Sequence, residues 1–439
     1  MIKLGKLSAS NLFEIVRSGF GQVEDHRKGK NGVISLTDAL MSAFVMFNLK
    51  DPSLLEFDER QEEENAFRNI KQIYQIENIP SDTHMRDLLD PVNPEELRPI
   101  FKELFRQAQR GNLLRRMRFM GGRYLLSLDG TGYFSSKKIR CDHCLQRNHK
   151  NGKVTYYHQV LTAVLIHPNV KEVIPLTPEP IIKQDGETKN DCERNAAKRL
   201  LAKFREDHPR LPVIVVEDGL SSNAPHIREL RKHNCSFILV VKEGDHPFLF
   251  RNVRQARTNG ETTEIKFTKK GVVHQFSFLN QTPLNESNQD ILVNFLQYWQ
   301  IHPDGKVSHW AWIVDFTLSK RNVKKTRDAG RARWKSENET HNTLKNQEYS
   351  MEHNYGHGKK NLSVVFLFIM MLSFAIDQIQ SLACPLYKAA RKKKRTRKSF
   401  WGKVRSLFQV LSFASLEEIY EAIYYGYEIL SFKILYDTS

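Results

Sequence analysis

Cysteine is scarce in this chain, with five in 439 residues. Only Cys141 and Cys144 lie close together, while Cys192, Cys235 and Cys384 are scattered. An odd, dispersed set excludes a disulfide framework and makes a reducing compartment the default expectation. The start, MIKLGKLSASNLFEIV, lacks the apolar run of a secretory signal. The longest apolar stretch, Leu362 to Ile376, spans about 15 residues before Asp377 interrupts it, short of the roughly 18–20 that a spanning helix needs. It is expected to be a helix buried in a core, not a membrane span. Internal repeats are absent. Acidic residues are in deficit: 67 Lys+Arg against 50 Asp+Glu leave a net charge of +17 with histidine neutral. That excess points to a polyanionic partner, nucleic acid ahead of an anionic membrane surface. A hydrophobic share of 40% with 27% charged residues excludes both a disordered chain and a polytopic membrane protein.

Strand-like alternation is rare before residue 118. Apolar residues there recur at helical spacing, as in LTDALMSAFVMFNL with Ser35 and Thr37 as candidate caps, and Pro52, Pro80, Pro91 and Pro94 divide the stretch into short helices. This is a helical N-terminal domain, 1–118, with a basic edge at Arg115, Arg116 and Arg118. The texture then changes. An apolar run from Arg123 ends in Asp129-Gly130, and strands are expected over 156–168 and 171–181. An amphipathic helix over 190–207 follows, then a buried strand over 211–220 that also contains Asp-Gly, a helix over 221–234 and a buried strand over 235–245. That order makes 119–245 an α/β core with a mixed sheet. Alternating segments make 246–325 a β-rich insertion. A long helix around Arg327–Gln347 and the apolar helix place the second part of the core at 326–385. The tail, 386–439, carries the basic block Arg391–Lys398 and an aromatic-rich helix from Ser415 onward.

Two apolar strands leading into Asp-Gly place carboxylates in the crevice above a sheet, where Asp129 and Asp218 can face each other. Carboxylate oxygens suit Mg²⁺, and paired ions of this kind catalyse phosphoryl transfer. Either Asp-Gly taken alone reads equally as a turn. In RARWKSENETHNTLK, Arg333 and Glu337 are four apart and share a helix face, with Lys345 about two turns on. A carboxylate flanked by cations can hold a metal while the cations grip a nucleic-acid backbone, or it can be a solvated ion pair. Cys141-Asp-His-Cys144 is half of a Zn²⁺ site, with His149 as third ligand and His143 or His158 as candidates for the fourth. Trp299, Trp310 and Trp312 lie in the β-rich segment, where tryptophan either packs in a core or stacks on a base.

The stretches SLDGTGYFSSKKIRCDHC, VIVVEDGLSSNAPHI and RARWKSENETHNTLKNQEYSMEHNYGHGKKN, in this order and with a β-rich insertion before the last, resemble the bacterial insertion-sequence transposases. The similarity spans roughly residues 120–380. It is strongest toward the branch with a tyrosine–arginine–glutamate–lysine signature. The resemblance implies an α/β fold: an RNase H-like mixed-sheet catalytic core with a β-rich insertion, flanked by the helical N-terminal domain and a helical C-terminal region. It implies a DDE triad of Asp129, Asp218 and Glu337 binding Mg²⁺ or Mn²⁺. It implies DNA contacts by Arg333 and its neighbour Arg331, by Lys345, and by Trp310 on a flipped base; the basic block with Lys392, Lys393, Lys394 and Arg395 reads from its charge alone as a DNA-phosphate contact or as a solvated linker. The partner is then double-stranded DNA with terminal inverted repeats, held by a homodimer, in the cytoplasm of a bacterium and associated with its nucleoid. Two positions depart from the pattern. Gly330 stands where the tyrosine belongs and Leu344 where the lysine belongs, with Lys345 next to it. Glu339 is an alternative third carboxylate, disfavoured by the RW-x-x-E spacing. The expected activity is cut-and-paste transposition. A catalytically inactive transposase-derived DNA-binding protein and a nuclease without strand transfer are the alternatives.

Overall fold

The computed structural model describes residues 7–27, 33–183 and 190–427. The part of the expected C-terminal helix beyond 427 lies outside them. The chain divides into two compact units, one made of the residues up to Gly111 and from Leu344 onward, the other of Asn112–Thr343.

The first unit is helical. Its N-terminal half contains α1 (Ala9–Phe20), α2 (Leu36–Leu49), α3 (Leu54–Glu62), α4 (Glu64–Tyr74), α5 (Asp82–Leu89) and α6 (Arg98–Arg110). Ser35 caps α2 by accepting from the Asp38 N–H, as its sequence position suggests.

The second unit is built on one eleven-stranded mixed sheet. Its strands are β1 (Tyr124–Ser136), β2 (Leu145–Asn148), β3 (Val154–His167), β4 (Val170–Pro175), β5 (Glu179–Ile181), β6 (Val213–Glu217), β7 (Ser236–Val240), β8 (Thr263–Lys269), β9 (Val272–Asn285), β10 (Asn288–Ile301) and β11 (Val307–Val314). The order is β2-β3-β1-β6-β7-β11-β10-β9-β8, with β4 and β5 also paired to β3. β1, β6 and β7 are parallel and β3 is antiparallel to β1. The near-continuous apolar sequences of β6 and β7 fit strands covered on both faces; α8 (Ala224–Lys232) and α10 (Val323–Ala332) pack beside them, and α7 (Glu193–Asp207) packs on β5, β3 and α8. One expectation needs correction. The segment after residue 246 opens with a helix, α9 (Pro247–Thr258), whose proline occupies the first turn, where no N–H is needed. β11 pairs antiparallel with β7, so the strands of this segment extend the core sheet.

After α10 the chain keeps turning through a π-helical turn at Ser336–His341 and enters α11 (Asn342–Asn346). The rest of the helical unit follows: α12 (Leu362–Ala383), α13 (Pro385–Lys392), α14 (Arg397–Val410) and α15 (Leu416–Tyr425). α12 is the one helix among the described residues long and apolar enough to cross a membrane, and 94% of its apolar window is buried. It packs against α2, α6, α1 and α5. Asp377, which breaks the apolar run, accepts from the buried Lys50 ammonium at 3.0 Å and from the Tyr349 hydroxyl. Lys50 also lies over the Tyr349 and Trp401 rings. Burial drives the Lys50 amine down to about 8, although the Asp377 charge opposes this.

Candidate functional site

Asp129 and Asp218 come level through strand register. β1 and β6 run parallel with Ser127 opposite Val216. Two residues further on, the same register sets Asp129 beside Asp218. Asp218 sits just past the end of β6, where its Oδ1 accepts from the Leu220 N–H at 3.0 Å. It therefore closes a turn, as the plain reading of Asp-Gly proposes, and stands at a carboxyl strand end as well. Asp129 differs from expectation. No turn follows it, and β1 runs on through Gly130 to Ser136 with an irregularity between Gly132 and Phe134.

Burial pushes the Asp129 carboxyl up to about 6, and the negative charges of Asp218, Glu337 and Glu217 add to this against the lowering effect of Arg333. The Arg333 guanidinium stands 3.8 Å from the Asp129 carboxylate. Glu337 lies in the π-helical turn, which contacts β1 and β4. Its charge acts on Asp129, whereas that of Glu339 acts on Lys335. Such one-residue widenings of a helix recur at functional sites.

Three further groups belong to this neighbourhood and were missed from sequence. His341 has Nδ1 3.8 Å from the Asp129 carboxylate and Nε2 2.8 Å from the Thr162 hydroxyl. The Thr162 proton goes to the Asp129 carbonyl oxygen, at 3.0 Å, so Nε2 of His341 is the donor to Thr162. Glu193, in the first turn of α7, lies so close to Gly130 that a Cβ there would overlap its carboxylate. Burial, with Asp218, Asp129 and Glu217, raises Glu193 to about 7. Glu217 is buried, with one oxygen 2.6 Å from His226 Nε2 and the other accepting from Ser221 at 3.0 Å. A cavity of about 290 Å³ adjoins these residues, lined among others by Glu193, Glu217, Ser221 and His226. The signals were present but ordinary. His341 is four residues beyond Glu337, and Glu193 reads as a routine acidic start to a helix.

The carboxylates gathered here are oxygen donors, and burial, with their like charge adding to it, raises Asp129 and Glu193. Carboxylate oxygens are the donor type that a hard divalent cation takes.

Of the other residues singled out, Arg331 is exposed and lies over the Trp310 ring at 4.6 Å, and Trp310 stacks on Tyr298. Trp299 stacks on His309. Trp312 is fully buried and packs against Gly330, so that a Cβ at Gly330 would run into the indole. Leu344 is fully buried, a position hostile to a lysine. Lys345 belongs to the helical unit, where its ammonium pairs with Glu352 at 2.8 Å. In the same unit Lys392, Lys393 and Arg395 are exposed and Lys394 is half-buried.

The zinc half-site is reassigned. His149 is turned away in the β2–β3 turn, its Nε2 2.8 Å from the Thr155 hydroxyl. His143 bonds through Nδ1 to the Lys183 carbonyl at 3.2 Å. The imidazole that meets the two cysteines is that of His158 on β3, with Nε2 3.3 Å from Cys141 Sγ and 3.2 Å from Cys144 Sγ.

Compared with known proteins, the chain matches no family model, and no curated protein matches it.

Proposed function

We propose that this chain is a DNA-cutting and DNA-joining enzyme of the DDE transposase class, with an RNase H-like core in its sheet-bearing unit. The observation that carries the reading is that Asp218, just past β6, and Glu337 act electrostatically on Asp129 of β1, with Arg333 among them, in a chain of net charge +17. A mixed sheet in which antiparallel strands lead into the parallel set β1, β6 and β7 supports the core assignment.

Asp129, Asp218 and Glu337 would hold Mg²⁺ or Mn²⁺, which activates water or a 3′-hydroxyl toward a phosphodiester and stabilises the leaving oxygen. The chain's own groups prepare that site. Arg333 tempers the carboxylate repulsion and offers a cation to a phosphate. Thr162 and His341 fix the Asp129 segment from the β3 side. Arg331, with Trp310, presents a guanidinium–indole surface of the kind that takes a phosphate and a base. Exposed Arg115, Arg116 and Arg118, and Lys392, Lys393 and Arg395, supply sequence-independent affinity for a duplex with terminal inverted repeats, bound by a pair of chains. A structural Zn²⁺ belongs to the separate thiol–imidazole cluster treated below.

The test is a labelled duplex carrying the inverted repeats that flank the gene, incubated with Mg²⁺ or Mn²⁺. Joined products support the transposase, nicks without joining a nuclease, and binding without cleavage an inactive DNA-binding protein. Asp218→Asn is expected to lower strand cleavage about a thousandfold or more while duplex binding persists. Full strand transfer by that variant would sink the assignment.

A further inference from the structure

We infer that Cys141, Cys144 and His158 form a tetrahedral Zn²⁺ site that pins the loop after β1 to β3, the strand next to the border strand β2. The inference is independent of the proposed activity.

The argument is geometric. An ideal tetrahedron built on Zn–S of about 2.3 Å and Zn–N of about 2.0 Å has S···S edges near 3.8 Å and S···N edges near 3.5 Å. The two sulfurs stand 3.8 Å apart, and the imidazole Nε2 is 3.3 and 3.2 Å from them. Three atoms thus occupy three corners of one tetrahedron with the spacing an ion would impose. The sulfurs are too far apart for a disulfide, whose S–S bond is about 2.0 Å. The local backbone is shaped for the task. The Cys144 N–H closes a turn on the Cys141 carbonyl at 3.2 Å, and the Cys141 N–H points at Cys144 Sγ at 3.4 Å, as suits a thiolate.

The surroundings fit a structural ion. Cys144 and His158 are each about 1% exposed, and the Tyr133 and Phe134 rings lie against the imidazole at 5.7 and 5.9 Å. His158 sits on β3, paired with Phe134 of β1 just past the irregularity between Gly132 and Phe134, so one ligand is carried by the sheet and two by the loop. β2 begins at Leu145, directly after Cys144, so an ion here also sets where the β2–β3 hairpin starts. A fourth donor, protein or water, closes the tetrahedron.

Full-length protein, stripped with chelator under reducing conditions, should take up about one Zn²⁺ per chain and melt at a higher temperature when it does. Co²⁺ in its place should give the intense thiolate-to-metal charge-transfer absorption that the carboxylate site cannot produce. Cys144→Ser and His158→Ala should lose this band, while His149→Ala and His143→Ala keep it. Because the first two variants can misfold, the decisive measurement is on wild-type chain. Reduced protein that binds no Zn²⁺, or binds Co²⁺ without the thiolate band, overturns the site. So does non-reduced protein lighter by two hydrogens and joined between Cys141 and Cys144.

Discussion

Gly330 shows how a single side chain decides what its neighbour can be. The resembling family has a tyrosine at this place, yet the fully buried Trp312 packs onto the Gly330 backbone and leaves no room for a Cβ. The loss of one aromatic is thus tied to the presence of another on the adjacent strand. Gly330→Ala is expected to destabilise the chain by about 1–3 kcal/mol through overpacking, even though alanine is the better helix former. Urea unfolding measures this, and Trp312→Leu in the same chain should recover a large part of the loss. Equal stability of wild type and Gly330→Ala would mean that the indole moves aside at no cost. Leu344 follows the same logic, since its burial removes the signature lysine from consideration.

Elements of this fold are joined by polar pins as much as by apolar contact. The end of β6 is tied to the first turn of α8 by the buried Glu217–His226 pair. Burial alone would lower the His226 pKa, but the Glu217 charge and hydrogen bond outweigh it, and the net shift is upward. A histidine raised on folding stabilises most where both states are protonated, below its unfolded value of about 6.5, and loses that contribution as pH rises through the folded value. His226→Gln should therefore cost most at acidic pH, about 3 kcal/mol for breaking a buried pair. The cost should shrink above neutrality. Thermal melts of both proteins from about pH 5.5 to pH 8.5 read the gap, and a gap that widens with pH contradicts the pairing. Elements also show where sequence patterns were sufficient. β6 and β7 are apolar runs between polar turns, and α7 and α8 are amphipathic, α8 with Asn223 as its cap, so their places were legible. The π-helical turn was not. The i,i+4 spacing already put His341 on the Glu337 face, but nothing in the sequence placed it against Asp129, and the widened turn that carries both was not readable. Strand register was equally hidden: Asp129 and Asp218 were readable as two aspartates, but their alignment depends on a pairing 89 residues apart in the chain. His149 was chosen over His158 because it is nearer in sequence, and sheet geometry reverses that choice.

On the scale of the whole molecule the charge excess becomes a measurable slope. Each phosphate neutralised by lysine or arginine releases a counterion, so log affinity falls with log salt by roughly 0.9 per contact. Replacing exposed Lys392, Lys393 and Arg395 together by alanine should flatten that slope by roughly 0.9 for each contact they make, alike for specific and unrelated duplexes. An unchanged slope would make the block a solvated tail. The division into a helical unit and a sheet-bearing unit crosses the expected domain order, because the first and last parts of the chain share one core around α12. Nothing local announces such a pairing. What the sequence did announce is the content of each part: scarce strands before residue 118, and an apolar run buried in a core, although its helix, α12, is longer than the run suggests.

Among the described residues the eleven-stranded sheet has two borders. At one, the short strands β2, β5 and β4 lie along β3, and the Asn190 side chain takes both the N–H and the carbonyl of Gln146 in β2. At the other, β8 alternates exposed Glu264, Lys266 and Thr268 with partly covered Ile265 and Phe267, and closes on exposed Lys269. A bare border with unmatched amides is a template for a foreign strand, and shortness and charge are the usual deterrents. Both borders carry one. A sheet this wide can thus remain unclosed and still resist fusing with its own copies, and uncharged substitutions along β8 would be the quickest route to fibrous aggregation.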